Sequence, residues 1–105
     1  MIVTFEKIWL KELYERGRCS DKKHRYQPLI VSRYQRRIEQ LEAAPSPETL
    51  YQLKALHFEA LRGDKDGLFS IRVNDQYRIE FTIQNENEQC LMTICNIVEL
   101  SNHYS

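Results

Sequence analysis

Four basic side chains that could bind phosphate lie close together in one short stretch of the sequence. Arg72 and Arg78 flank an Asn74-Asp75 dipeptide, and Arg62 and Lys65 precede them by a few residues. Asn-Asp is typical of a tight hairpin turn, which would place the two arginines on adjacent strands. The four cations would then surround one shallow surface, an arrangement that suits a phosphate diester.

A purely structural role for these cations is the alternative. Arg72 would then pair with Glu80 across the hairpin, in an exposed ion pair worth about 0–1 kcal/mol. For either arginine alone the structural interpretation is favoured. For the group as a whole, the spacing leaves both interpretations open.

Groups that exchange protons near neutral pH are few in this sequence. His24, His57 and His103 are 33 and 46 residues apart, and the chain contains no HExxH, CxxC or nucleotide-binding glycine motif. We therefore expect no metal site and no cofactor. A lone histidine such as His57 is more often a packing or capping residue than a catalyst. His103 and Tyr104 could transfer protons at the cationic surface only if the chain end folds back onto it.

The formal net charge is zero, which argues against indiscriminate binding of nucleic acid. The charge is unevenly distributed, because residues 1–62 carry 12 basic and 8 acidic side chains, whereas residues 63–105 carry 3 and 7. Residues 16–37 contain eight basic side chains and one acidic side chain. A solvated helix face is the ordinary explanation, and RNA binding is the alternative. The RNA-binding candidates on the helix are Arg33, Arg36 and Arg37.

Length and composition predict a single domain over residues 1–105. Cys19, Cys90 and Cys95 form no pairing scheme, which favours a reducing, cytoplasmic compartment. No signal peptide and no run of about 18 apolar residues is present, so we expect no membrane association.

The helical elements come first in the sequence. β-forming residues over 1–5 predict an opening strand, and the spacing of apolar residues then predicts a helix that ends at Gly17. A second, strongly periodic helix begins at Pro28 and ends before Pro45. Ser46 followed by Pro47 is typical of an N-cap and first helical residue, and predicts a short helix to about Leu53.

An alternation of period two follows Gly67 and predicts a hairpin and then a long strand over Cys90–Leu100. Helices first and a C-terminal meander last indicate an α+β fold, in which an N-terminal strand and two to three helices pack on an antiparallel sheet.

The segment that contains these cations resembles the signature of the HigB toxins. These are the plasmid-maintenance killer proteins of type II toxin–antitoxin systems, in the RelE superfamily. The family pattern is L-H-x-L-K-G-D-R-x-G-x-W-S-I-R-V-N-x-x, followed by Trp or Tyr and then R-I. Leu56-His57 matches its start, and residues 61–79 read L-R-G-D-K-D-G-L-F-S-I-R-V-N-D-Q-Y-R-I. The resemblance covers most of the chain, strongly over 61–81 and weakly over 18–55.

The resemblance implies a RelE-like fold and a ribosome-dependent endonuclease that cleaves mRNA in the A site without a metal. RNA carries its own nucleophile, the 2′-hydroxyl, so such a protein need only align it and move protons. A neutralising helix-turn-helix antitoxin, similar to HigA, is also implied. Operator DNA would be contacted only through that antitoxin.

Residue roles follow from the same resemblance. His57 matches the family histidine, a candidate acid or base, although two extra residues separate it from Leu61. Arg78 matches the family arginine, which we assign to the developing transition-state charge. The positions implied to bind RNA are Arg62, Lys65 and Arg72.

The C-terminal tail departs from the family pattern. Family members commonly end in Asp-Tyr-His, whereas residues 101–105 read S-N-H-Y-S. We assign His103 as general acid or base and Tyr104 as a second acid or a stacking partner. The altered tail also motivates an alternative, in which the chain is a catalytically weak or inactive binding module that acts through an antitoxin–operator complex.

Overall fold

The computed structural model describes residues 1–85 and 92–102, and within them it has two α-helices and one five-stranded sheet. The elements are β1 (Ile2–Phe5), α1 (Ile8–Arg16), α2 (Pro28–Ala43), β2 (Glu59–Ala60), β3 (Phe69–Arg72), β4 (Tyr77–Asn85) and β5 (Thr93–Asn102). The strand order across the sheet is β1-β5-β4-β3-β2. Neither α1 nor α2, the described α-helices, is long and apolar enough to cross a membrane.

The sheet is mixed, which corrects the expectation of a purely antiparallel sheet. β4 pairs antiparallel with both β3 and β5, as the meander pattern predicts. β1 instead pairs parallel with β5, with Phe5 opposite Ile97. Parallel neighbours need a long crossover connection, and the helices between β1 and the hairpin are part of that connection. A four-residue strand carries no pattern that reveals its direction, so the sequence could not predict this pairing.

The helix ends follow the residue types that predicted them. Gly17 ends α1 in a left-handed conformation with φ of 74°, and its N–H donates to the carbonyl of Leu13 at 3.1 Å. Pro28 is the first residue of α2. The predicted third helix is a 3-10 turn over Pro47–Gln52, and the Ser46 side chain makes no capping hydrogen bond to it.

One face of the sheet packs against the helices. Ile71, Ile79 and Phe81 are fully buried there, as are Leu10 of α1 and Ile38 of α2. Because side chains alternate along a strand, the neighbouring positions of β3 and β4 lie on the opposite face of the sheet.

A β-bulge in β5 changes which of its residues reach the core. Glu80 lies opposite Glu99, whereas the next residue, Phe81, lies opposite Ile97, so one residue of β5 is extra. The bulge lets Ile97 and Leu100, three residues apart, both be buried. Strict alternation would have placed them on opposite faces.

The two cysteines in the described part of the chain are free thiols, and Cys90 lies outside the described residues. Cys19 is half-buried. Cys95 is buried, and burial raises the pKa of its thiol to about 11. The Cys95 thiol is therefore almost entirely protonated at neutral pH.

A buried hydrogen bond joins the two helices. Tyr34 of α2 is fully buried, and its hydroxyl donates to the carbonyl of Leu10 at 2.8 Å. Burial raises the pKa of Tyr34, so the hydroxyl stays protonated as a donor. The contact fixes α1 against α2.

We predict that Tyr34→Phe destabilises the protein by about 1 kcal/mol, because it removes one buried hydrogen bond at constant ring packing. The expected fall in Tm is roughly 4–8 °C, measured by thermal unfolding. Tyr51→Phe is the matched control, since Tyr51 is 61% exposed, and its Tm should stay within about 2 °C of wild type. Equal shifts for the two variants would contradict this assignment.

Candidate functional site

The register of the β3–β4 hairpin determines the candidate site. Arg72 lies opposite Arg78, and Ser70 lies opposite Glu80. The connecting turn is closed by Asn74, whose side-chain oxygen accepts two backbone N–H hydrogen bonds at 2.9 and 2.7 Å. Because Ile71 and Ile79 face the core, the four polar side chains share the opposite face of the sheet. The predicted meeting of the two arginines on adjacent strands is confirmed.

This register overturns the structural alternative in which Arg72 pairs with Glu80. The two residues are not cross-strand partners. Arg72 instead forms an ion pair with Asp75 in the turn, and Glu80 pairs with Lys65. A shift of two positions along the hairpin accounts for the difference, since both arrangements keep the same residues on one face.

Arg78 lies at the centre of the polar surface. Its Nη1 donates to Ser70 Oγ at 3.1 Å and to the carbonyl oxygen of His57 at 3.4 Å, and lies 3.3 Å from Glu59 Oε1. The Arg78 side chain is only 15% exposed. Its guanidinium is therefore held in a defined position by two neutral acceptors and one carboxylate.

His57 reaches this surface through an unusual backbone conformation. It ends the 3-10 turn Lys54–Leu56 with φ of 46° and ψ of 49°, and it is the non-glycine residue with positive φ in the described chain. Such a conformation costs roughly 1–2 kcal/mol for a residue with a Cβ. It directs the His57 carbonyl towards Arg78 and leaves the residue exposed. Sequence spacing could not predict this placement.

Lys65 joins the same surface through a buried carboxylate. Its Nζ lies 2.6 Å from Glu80 Oε2, and the Glu80 side chain is 8% exposed. Arg62 is exposed at the residue before the 3-10 turn Gly63–Lys65. The hairpin and its preceding turn thus bring Lys65, Arg72 and Arg78 to one face.

A second basic surface, the arginine cleft, lies between α2 and the hairpin. Its volume is about 320 Å³. The residues that line it are Arg33, Arg36, Arg37, Ala55, Arg72, Val73 and Asn74. Arg72 is thus shared between the cleft and the hairpin.

Arg37 couples the arginine cleft to the hairpin. Its Nε donates to the backbone carbonyl of Arg72 at 2.8 Å, and its Nη1 donates to Gln40 Oε1 at 2.7 Å. Burial lowers the pKa of Arg37, and the charges of Arg36, Arg33 and Arg72 lower it further. Burial is the larger cause, and repulsion by the three neighbouring arginines is the part that a bound anion would relieve.

Aromatic contacts anchor the basic connector between α1 and α2 to the same end of the sheet. The His24 ring stacks on Trp9 with centroids 3.7 Å apart, and Tyr26 contacts the edge of Tyr77 at 5.4 Å. Burial raises the pKa of Tyr26 to about 12, and the charge of Glu99 raises it further. These contacts link residues far apart in sequence, so periodicity did not predict them.

The predicted tail residues His103 and Tyr104 lie outside the described residues. The last described residue, Asn102, is opposite Tyr77, and Ser101 is opposite Arg78. β5 therefore ends beside the strand that carries Arg78. Among residues 1–85 and 92–102, no group of three or more His, Cys, Asp or Glu side chains could hold a metal ion.

The sequence did not predict the roles of Ser70, Glu80 and Glu59 in the site. Ser70 and Glu80 occupy positions that a strict two-face pattern marks as exposed, and the structural alternative paired Glu80 with Arg72. Glu59 lies in the segment between His57 and Leu61 that the motif does not match. Ser70 falls inside the motif segment, and its position two residues before Arg72, on the same strand face, was the available signal.

Comparison with known proteins identifies similar sequences over most of the chain. The family model described as "RelE-like toxin of type II toxin-antitoxin system HigB" matches residues 3–94. The chain is also 39% identical over 82 residues to Toxin HigB-1 of Vibrio cholerae serotype O1, which covers 77% of this chain and 82% of that protein. Both findings are similarities of sequence, and the family match ends before the C-terminal tail.

A solved structure, the YoeB/ParE toxin from Agrobacterium tumefaciens, has the same fold. The match has a TM-score of 0.55 and covers 99% of this chain and 100% of the other, at 16% sequence identity. At that identity the likeness concerns the fold alone, and confirms the predicted RelE-like α+β architecture with its sheet corrected to a mixed one.

We predict that the arginine cleft binds small anions in the free protein. Inorganic phosphate should raise the Tm of the wild type, since a ligand that binds only the folded state stabilises it. Arg36→Gln should lose at least half of that shift because it removes one of four clustered charges. Lys11→Gln, which removes an exposed charge on α1, should keep it. Identical phosphate responses in the two variants would refute an anion site here.

Proposed function

The chain belongs to the HigB-like toxins, the RelE-like toxins of type II toxin–antitoxin systems, and we propose that it is a ribosome-dependent mRNA endonuclease. The toxin assignment follows from the family match. Cleavage of mRNA is the step beyond it, and the position of Arg78 is the observation that supports it most strongly. A guanidinium that is 15% exposed, held by two neutral acceptors and paired with one half-exposed carboxylate, suits the developing charge of a phosphorane.

The proposed reaction uses the nucleophile of the substrate itself. The 2′-oxygen of the RNA attacks the adjacent phosphorus and loses its proton to a base. The bond from phosphorus to the 5′-oxygen breaks, and that oxygen receives a proton from an acid. The products are a 2′,3′-cyclic phosphate and a 5′-hydroxyl. These bond changes require no oxidant, metal or cofactor.

Arg78 would stabilise the negative charge that builds on the phosphoryl oxygens. In the free protein its Nη1 lies near the Glu59 carboxylate, whose side chain is 53% exposed on the two-residue edge strand β2. Because the Glu59 carboxylate is half-exposed and accessible to solvent, a substrate phosphate could displace it. Ser70 and the His57 carbonyl would keep the guanidinium in place during that exchange.

The proton-transfer groups are proposed from the sequence. His103 is our first candidate for general acid or base and Tyr104 the second, because imidazole titrates near neutral pH. His57 is the third candidate, since its backbone already contacts Arg78 and the residue is exposed. Arg62, Lys65 and Arg72 would contact RNA phosphates around the cleavage position.

Membership of a type II system implies an antitoxin partner. We propose that this antitoxin is a helix-turn-helix protein similar to HigA, and that operator DNA is reached only through it. The ribosomal A site with its mRNA is the proposed site of action, in the cytoplasm. A ribosome presents mRNA in a fixed conformation, which reduces the work of alignment that a small protein must perform.

The competing function is a toxin-like binding module without catalysis. It is favoured by the altered tail, because Asn102 stands where relatives have an aspartate that could support the histidine. Such a module would bind its antitoxin while leaving ribosome-bound mRNA intact.

We predict that induction of the wild-type protein in a bacterium arrests growth and that Arg78→Ala and His103→Ala relieve the arrest. Loss of either group should lower cleavage by on the order of 10²-fold, in the range of single electrostatic or acid–base groups. Primer extension on cellular mRNA should map the cuts within codons.

Arg16→Ala is the matched control, since the Arg16 side chain is 71% exposed at the end of α1 and should leave the arrest unchanged. If cells grow normally while the wild-type protein is folded and the mRNA is uncut, the proposed mRNA cleavage is wrong and the non-catalytic binding module is favoured.

We further predict that the arginine cleft contributes to ribosome binding. Arg33→Gln combined with Arg36→Gln should weaken affinity and make the dependence of log K on log salt shallower, by a slope of roughly one for each phosphate that is no longer neutralised. The measurement is a binding titration at several salt concentrations. If the slope of log K against log salt is unchanged in the variant, the arginine cleft does not contact RNA.

A further inference from the structure

Two buried polar residues lie directly opposite each other beneath the site. Within residues 1–85 and 92–102, the non-aromatic polar residues that are buried are Ser70, 0% exposed, and Glu80, 6% exposed. They are cross-strand partners in the β3–β4 hairpin. Polar side chains are seldom buried on a sheet face without partners that compensate their lost hydration.

Each of the two residues binds one cation of the site. Ser70 Oγ accepts a hydrogen bond from Arg78 Nη1 at 3.1 Å, and Glu80 Oε2 lies 2.6 Å from Lys65 Nζ. The side chains of directly opposed residues in a hairpin start about 5 Å apart. The Ser70–Glu80 pair therefore anchors a guanidinium and an ammonium at two directly opposed positions of the hairpin.

Glu80 suits the task of holding a flexible lysine. The Lys65 side chain is 52% exposed at the last residue of the 3-10 turn Gly63–Lys65, so without a partner its four-carbon stem would sample many rotamers. The carboxylate is nearly inaccessible to water, which strengthens its attraction for the ammonium. Glu80 thus converts a mobile surface charge into a positioned one.

We propose that Ser70 and Glu80 are positioning residues that hold Arg78 and Lys65 in register for one scissile phosphate, an inference that rests on the proposed mRNA cleavage. Neither residue touches the substrate. The pair acts through the two cations, and the hairpin register sets the separation between them.

The position of Glu80 predicts opposite effects on binding and on rate. Its negative charge lies near the phosphate site and opposes RNA binding, while its contact with Lys65 favours the reactive geometry. Removal of the charge should therefore leave KM equal or lower while kcat falls. A merely destabilised protein would not bind RNA more tightly.

The test is Glu80→Gln, assayed for cleavage of ribosome-bound mRNA with purified protein whose folding is confirmed by thermal unfolding. We expect kcat to fall about tenfold, since misplacement of a group by about 1 Å costs up to 10²-fold. Glu48→Gln, which removes an exposed carboxylate from the turn Pro47–Gln52, should match the wild type. Cleavage by Glu80→Gln within twofold of wild type would overturn the proposal.

A double-mutant cycle separates positioning from general damage. In a Lys65→Gln background, Glu80→Gln should lower kcat by less than twofold more, because the group it positions is already absent. A full tenfold further loss would show that Glu80 does not act through Lys65.

The Ser70→Ala variant tests the contact between Ser70 and Arg78 independently of Glu80. It should lower kcat several-fold in the wild-type background and less than twofold in an Arg78→Lys background. Ser32→Ala, at an exposed position of α2, is its control and should be silent. Equal losses in both backgrounds would assign Ser70 a role in folding alone.

A measurement that does not depend on mRNA cleavage tests the positioning contact separately from the proposed function. Side-chain ¹⁵N relaxation of the free protein should show an ordered Lys65 ammonium in wild type and a mobile one in Glu80→Gln. If wild-type protein fails to cut mRNA yet shows this change, the endonuclease proposal fails and the positioning contact stands. If Lys65 is equally mobile in both proteins, the positioning contact is refuted.

Discussion

The pairing register of the β3–β4 hairpin is the constraint on which the site depends. It sets Arg72 opposite Arg78 and Ser70 opposite Glu80, and a slip of β4 by one residue against β3 would turn Arg78 and Glu80 into the hydrophobic core. The turn at Asn74 fixes that register by capping two backbone N–H groups, while burial of Ile71 and Ile79 on the other face makes any slip costly. Packing and polar chemistry therefore specify the same alignment.

The electrostatics of the surface follow from local pairing. The protein has no formal net charge. Each of the three cations on the hairpin face also has an acidic partner: Glu80 for Lys65, Asp75 for Arg72 and Glu59 for Arg78. Two of these acids are exposed and one is buried, so they differ in how easily a phosphate displaces them. The result is a weakly charged surface that favours a positioned phosphate over indiscriminate contact with RNA. By contrast, the arginine cleft gathers four arginines, and its charges repel one another.

Much of the fold followed from the sequence because its signals are local. Gly17 and Pro28 mark helix ends, and the alternation in the hairpin predicts which residues face the core. The parallel pairing of β1 with β5 and the bulge opposite Glu80 depend on contacts between distant segments, which no local pattern encodes.

For the site, the motif identified Arg78 and Lys65. The partners that hold them, Ser70 and Glu80, became visible only with the register. The assignment of His103 and Tyr104 still rests on sequence, because these residues lie outside the described part of the chain.

The central claim is that this toxin cuts mRNA by attack of the 2′-hydroxyl on a phosphate held beside Arg78. The most direct test is incubation of the purified protein with ribosomes that carry one defined mRNA in the A site, alongside an mRNA with a single 2′-deoxy substitution at the cut position. We expect cleavage of the first mRNA with 2′,3′-cyclic phosphate and 5′-hydroxyl ends, and no cleavage of the second at that position. Equal cleavage of both mRNAs, or a product with a 5′-phosphate, would contradict it.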